Sequence, residues 1–173
     1  MRTSKNFPLA TFALLVIATQ KDGANVKSST LSSLLEVSDS SLKKLMRRLV
    51  EADLVESTAS RSGGFRLKRP LSQITMADVL VAVEGAPVLE TPDTSLAMRV
   101  FEEKDGVEAA QNLVSSTFGR CEDALLQQFS EVTLDRFLKR GEPSDDISGD
   151  TPGDSSGDAV DWNVRALQIA CEI

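Results

Sequence analysis

Histidine is absent from all 173 residues. Without it there is no imidazole general base, no Ser-His-Asp arrangement and no HExxH type of metal site. Cysteine is nearly as scarce. Cys121 and Cys171 lie fifty residues apart, which excludes a disulfide framework and a four-cysteine zinc site. No apolar run approaches the roughly 18 residues that a membrane helix needs. The stretch "FALLVIATQ", beginning at Phe12, is short and has no small-residue cleavage pattern, so neither a membrane span nor a signal peptide is expected. The phosphate-cradling motifs GxxxxGK[ST] and GxGxxG are also missing. Carboxylates are plentiful, but they concentrate in residues 140–161 rather than at catalytic spacings. The expectation is a cytoplasmic protein that is not an enzyme.

A hydrophobic content of 41% is enough for one ordinary core. The formal charge of −7 hides a division. Residues 1–75 hold 12 Lys/Arg against 6 Asp/Glu, and residues 76–173 hold 7 against 20. The halves therefore carry +6 and −13. A basic half in an acidic chain points to a polyanionic partner for that half alone.

Residues 7–19, "FPLATFALLVIAT", read as a helix that is apolar nearly all round and largely buried. After the turn "KDGANV", Ser28 or Ser29 is placed to cap a short helix carrying Leu31, Leu34 and Leu35. "SDSS" (38–41) supplies the next turn and cap. At about 100° per residue, Leu42, Leu45, Met46 and Leu49 then fall in one narrow arc of the following helix. Lys43, Lys44, Arg47 and, near the edge, Arg48 fall opposite, with Ser40. Two short helices joined tightly, the second cationic on its free face, make a helix-turn-helix. From charge patterning alone, a merely solvated basic face explains the ridge as well.

The next elements shift that balance. "DLVEST" (53–58) and "FRLKRP" (65–70) read as two strands joined by "ASRSGG", with Leu54, Phe65 and Leu67 turned inward. Asp53 stands where a helix must turn into a strand, a place for the left-handed conformation. Gly63 and Gly64 suit a hairpin tip and leave room for a phosphate to approach backbone N–H groups. Arg61, Arg66, Lys68 and Arg69 surround them. "SQITMADVLVAVEG" (72–85) closes the unit as a helix capped by Ser72 or Thr75. The expected fold is mainly α with a small β wing: a winged helix-turn-helix domain plus a long dimerisation helix.

The order "SSTLSSLLEVSDSSLKKLMRRLVEADLVES" followed by "SGGFRLKRPLSQITMADVLVAVEG" resembles the bacterial regulators that include IscR, NsrR, CymR and RirA. The resemblance runs on to "SEVTLDRFL" and covers about residues 2–138. It implies a homodimeric transcriptional regulator, a repressor, bound to double-stranded DNA at a near-palindromic operator. The recognition helix would enter the major groove and the wing the adjoining minor groove. Carried over by position, Ser40, Ser41, Lys43, Lys44 and Arg47 would face DNA from the recognition helix. Arg61, Ser62, Gly63 and Gly64 would form the wing tip, and Lys5, Ser28 and Ser29 would contact phosphates.

Three departures qualify the resemblance. Iron–sulfur members hold their cluster with three cysteines between the closing helix and the long helix. Here that segment, "APVLETPDTSLAMRVFEEKDG" (86–106), has none, so no iron–sulfur cluster and no other cofactor is expected. Ala59 stands where some members place a wing arginine, with Arg61 two positions later. Asp53 replaces the usual glycine.

Farther along, Val107, Ala110, Val114, Phe118, Cys121, Leu125 and Phe129 recur at steps of three and four as one apolar seam, expected to pair with a second copy. On that seam Cys121 has two readings, a small buried hydrophobe or a redox-sensing thiol at the dimer interface. Residues 140–161 repeat Gly-Asp every four residues but match no calcium loop, so a disordered acidic linker is expected. "DWNVRALQIACEI" (161–173) has apolar residues at 164, 167 and 171 and Trp162 as an anchor. The expected organisation is a DNA-binding domain over 1–85, a connecting loop at 86–106, a dimerisation helix and closing turn at 107–139, the linker at 140–161 and a short segment at 162–173. An alternative of another class is a winged-helix protein-interaction module acting on a partner protein. The effector, small molecule or protein, is not legible.

Overall fold

The computed structural model describes residues 4–20, 23–60, 63–91, 95–101 and 104–138. Six helices and a two-stranded sheet follow in the order α1 (Asn6–Ala18), α2 (Ser28–Leu34), α3 (Asp39–Glu51), β1 (Val55–Thr58), β2 (Gly64–Leu67), α4 (Met76–Glu84), α5 (Ser95–Val100) and α6 (Lys104–Ser130). The first four helices and the strands enclose one core. Its fully buried large side chains include Leu14, Leu31, Leu42, Met46, Leu49, Leu54, Ile74 and Leu80. Within α1, Ala10, Ala13, Leu14 and Ile17 are buried, whereas Phe12 is 45% exposed. The helix is thus less completely covered than its all-round apolar character predicts.

Helices α2 and α3 end in the same way. After α2, Glu36 adopts φ 52°, and the N–H groups of Glu36 and Val37 donate to Ser33 O and Ser32 O. After α3, Asp53 adopts φ 62°, and Asp53 and Leu54 donate to Val50 O and Leu49 O. Both are Schellman terminations, in which one left-handed residue returns two N–H groups to orphan carbonyls. Glycine fits such a site most easily. Two acidic residues fill it here, each at a cost of about 1 kcal/mol. Asp53 was expected in this role; Glu36 was not.

The wing pairs Val55 with Leu67, Glu56 with Arg66, Ser57 with Phe65 and Thr58 with Gly64 in antiparallel register. Its strands are shorter than predicted because Asp53 is consumed by the helix termination and Pro70 brings no N–H to a ladder. On the outer side of β2, Val26 and Phe65 exchange both backbone hydrogen bonds at 2.9 Å. This contact holds the approach to α2 extended, with Lys27 at ψ 146°. The first helical residue is therefore Ser28, and the N-cap is Lys27 with no side-chain cap. Neither Ser28 nor Ser29 caps this helix.

The predicted closing helix is divided. A 3-10 turn (Leu71–Gln73) comes first, then an extended Ile74, then α4. Thr75 and Asp78 form a capping box, with Thr75 N 2.8 Å from Asp78 Oδ2 and Asp78 N 3.1 Å from Thr75 Oγ1. The segment 86–106 is more than a loop, since it contains α5. Helix α6 spans 27 residues, about 40 Å at 1.5 Å per residue. Beyond it the chain turns back into the core. Met76 N donates to Val132 O at 2.9 Å and Leu134 N to Ile74 O at 2.8 Å. Leu134 itself is fully buried.

The winged unit is therefore closed by residues distant in sequence. Leu134→Ala is expected to lower the unfolding free energy by about 2–5 kcal/mol, the range for a buried leucine that leaves a cavity. Urea titration followed by circular dichroism measures it. A loss below about 1 kcal/mol would mean that the closing turn is not part of the core.

Candidate nucleic-acid interface

The recognition helix is α3. Ser38 caps it, its Oγ accepting from Ser41 N at 3.3 Å, and lies 2.9 Å from Ser41 Oγ and 3.1 Å from Ser40 Oγ. Ser40 and Ser41 are both exposed on its first turn. Leu42, Leu45, Met46 and Leu49 are buried as their spacing predicts, and Lys43, Lys44, Arg47 and Arg48 are exposed. These four cations differ in what they touch. Lys43 and Lys44 make no ion pair with the described residues. Arg47 Nε lies 2.8 Å from Glu51 Oε1 one turn on, with 80% of its side chain exposed. Such an exposed pair is worth about 0–1 kcal/mol and yields readily to a phosphate. Arg48 turns the other way and donates to Val83 O at the end of α4.

The wing is largely neutralised from within. Arg66 pairs with Glu56 across the strands, Lys68 with Asp53, and Arg69 with Asp78 at 3.6 Å. Gly63 and Gly64 are required by the fold itself. A Cβ on Gly63 would lie 2.0 Å from Thr58 O, and one on Gly64 2.4 Å from Val26 O. The N–H of Gly63 donates to Ser60 O at 2.9 Å. Close approach of the chain to itself explains both glycines, so the opening for a phosphate expected at the tip is taken up by backbone. Arg61 and Ser62 lie outside the described residues.

Among the expected phosphate contacts, Ser29 is exposed on the first turn of α2, but Ser28 is not available. Its Oγ is buried and has no hydrogen-bond partner among the described residues, so the hydroxyl does not reach the surface of the free chain. Lys5 is exposed before α1, but at the end of that helix beside α4, where Ser4 N and Oγ bond Glu84 Oε1 at 3.1 and 2.6 Å. The other end of α1, Ile17 to Gln20, shares a surface depression with Arg66 and Leu67 of β2. Thirteen residues of helix, about 20 Å, therefore separate Lys5 from the wing. Sequence reasoning passed over Lys27. This side chain is exposed, makes no ion pair with the described residues, and stands where Val26 pairs with the wing. Its signal was the cation immediately before the predicted α2.

Helix α2, with Ser29 on its first turn, packs on α3, α3 packs on β1, and Val26 beside Lys27 pairs with the wing at Phe65. A model of the family described as "Rrf2: Iron-dependent Transcriptional regulator" matches residues 3–140. The chain belongs to the Rrf2 family. Rrf2 proteins are transcriptional regulators, and this one is a DNA-binding winged helix rather than an enzyme. The HTH-type regulator YffB of Lactococcus lactis is 29% identical over 134 residues, covering 78% of this chain and 85% of YffB. YwgB of Bacillus subtilis is 44% identical over 85 residues, 49% of this chain and 54% of YwgB. IscR of Escherichia coli is 26% identical over 172 residues, covering 96% and 100% of the two chains. Among solved structures, CymR of B. subtilis superposes with a TM-score of 0.55 at 20% identity over 79% of this chain and 95% of CymR. T. potens IscR does so with 0.56 at 20% identity over 86% and 94%.

In this Rrf2 chain the α6 seam is not uniformly unpartnered. Val107 is 8% exposed and packs where α5 meets α6. Phe129 stacks on Phe7 of α1, with ring centroids 5.9 Å apart. Phe129 is therefore an intramolecular anchor and not a free interface residue, a correction to the seam read from periodicity. Val114, Phe118 and Leu125 are half-buried, and Ala110 is exposed. Cys121 is free and exposed in the single chain. Among the described residues no helix is long and apolar enough to cross a membrane.

Ser28→Ala is expected to leave DNA affinity unchanged and to hold or raise stability by about 1 kcal/mol, because it deletes a buried hydroxyl that makes no bond. Thermal unfolding and electrophoretic mobility shift measure the two quantities. A loss of binding with stability intact would restore Ser28 to the interface.

Proposed function

We propose that the chain acts as a homodimeric repressor on a near-palindromic operator, α3 entering the major groove and the wing lying along the adjoining minor groove. One observation carries this reading. A chain of net charge −7 keeps Lys27, Lys43 and Lys44 free of ion pairs with the described residues, while the described wing cations Arg66, Lys68 and Arg69 are paired within the chain. Exposed cations without a partner on the chain are open to an external anion. Phosphate is the partner that a helix-turn-helix presents them to.

The dimer reading is supported by apolar surface on α5 and α6. Leu113 is 65% exposed, Val100 63% and Phe101 61%, with Ala110 and the half-buried Val114, Phe118 and Leu125 nearby along α6. A twofold axis through this region would cover that surface and set two α3 helices at the spacing of one DNA turn, about 34 Å. Regulation without a resident iron–sulfur cluster is supported by donor chemistry. Residues 86–106 contain no cysteine to supply the thiolates of such a cluster.

With four cations per protomer at phosphates, eight per dimer, the logarithm of affinity should fall against the logarithm of salt with a slope of about −7. The double variant Lys44→Ala, Arg47→Ala is expected to flatten this to about −4 and to weaken binding at least about tenfold. Fluorescence anisotropy on operator DNA, recovered first by genome-wide capture with the purified protein, measures both. Unchanged affinity and slope in a folded variant would refute the ridge as the DNA contact. Phe118→Asp is expected to give a monomer by sedimentation velocity with operator affinity lost. A dimer that survives this change would move the interface elsewhere.

A further inference from the structure

A concavity opens beyond the C-terminal end of the DNA-facing ridge. It is an open groove of about 700 Å³ between the end of α3, the outer side of α4 and the last turns of α6. Val81, Ala82 and Leu126 give it an apolar floor, and Arg48, Glu51, Arg69 and Asp78 stand along it. Val81 remains 36% exposed there, a branched apolar residue in mid-helix with nothing described over it.

The chain itself brings a candidate occupant to this place. Ser130 lines the groove, Thr133 bridges to Thr75, and Thr75 is bonded to Asp78 of the groove. Residue 138, the last described, is therefore a few residues from the groove along connected backbone. Residues 139–160 follow, 22 positions, and a coil of that many residues spans roughly 26 Å root-mean-square. At its end stands a segment with Val164, Leu167 and Cys171 at spacings that form one face of a helix, and with Trp162 just ahead of them. Its Arg165 matches the groove carboxylates of Glu51 and Asp78, and its Asp161 and Glu172 match Arg48 and Arg69.

We propose that residues 161–173 seat in this groove of the same chain, as an amphipathic helix laid between α4 and α6. Helix-in-groove recognition uses this pattern of apolar anchors at one-turn spacing. The tether raises the effective concentration of the segment to the millimolar range, so modest contacts suffice. Seated there, it braces the recognition helix against α6 through the α3 residues Arg48 and Glu51. The inference does not rest on the DNA-binding reading, and its test reads no DNA.

Trp162 is the sole tryptophan, so its fluorescence reports on this segment alone. In the full chain, emission is expected to be blue-shifted from that of a synthetic 161–173 peptide and quenched by acrylamide about half as efficiently, as for an indole removed from water. Val81→Asp, on a residue already part-exposed, and Leu126→Ala are each expected to return both readings toward the peptide values, with the circular dichroism melt retained. Emission in the full chain equal to that of the peptide would overturn the proposal. So would a blue shift that neither substitution changes, which places the segment elsewhere. A blue shift lost on dilution would also overturn it, because the segment then sits on a second copy.

Discussion

Burial of four side chains on one face of α3 determines where its charges point. Leu42, Leu45, Met46 and Leu49 are all within 4% of complete burial, and each contributes about 1.5–3 kcal/mol by leaving water. Rotating the helix about its axis would expose two of them. No surface ion pair, worth at most about 1 kcal/mol, competes with that. The rotation is thus set by the core: Lys43 and Lys44 are aimed outward without an ion pair to the described residues, and Arg47 with only its exposed pair to Glu51. This is the economical way to build a binding ridge. Structural residues carry the energy, and binding residues are left free for a partner.

The partition of the remaining cations follows from their neighbours. Arg48 sits one residue beyond the ridge and reaches back to Val83 O, so it locks α3 to α4 instead of facing out. On the wing, Arg66 and Lys68 find Glu56 and Asp53 within the same short antiparallel unit. These pairs leave the described part of the wing close to neutral. Lys27, just before α2, is positioned by the Val26–Phe65 pairing that also forces glycine at position 64.

The long helix is fastened to this unit at several points. Phe129 stacks on Phe7, Leu134 enters the core, and Val132 and Leu134 pair with the backbone on either side of Thr75. Farther up, Glu122 accepts N–H groups from Val88 and Leu89 at 3.1 and 3.3 Å, which ties the segment after α4 to α6. Contacts thus run from α6 to α4, and through Arg48 to α3.

Much of this was legible from residue order. The 3.6-residue spacing of Leu42, Leu45, Met46 and Leu49, the turn at Asp53, the two-stranded wing and the long α6 follow from local rules of periodicity, capping and steric freedom. Those rules act over a few residues, so the sequence by itself determined the helix-turn-helix, its basic face and the absence of cysteine from residues 86–106. What required the tertiary structure was every pairing between distant segments. Ser28 was expected on the surface and its hydroxyl is buried; Phe129 was expected at an interface and stacks on Phe7. Arg48, read from spacing only as near the edge of the ridge, donates to Val83 O, and Gly64 looked like an opening for a phosphate until Val26 filled the space. A side chain's direction follows from its own helix, but its partner is decided by whichever distant backbone the core brings within reach.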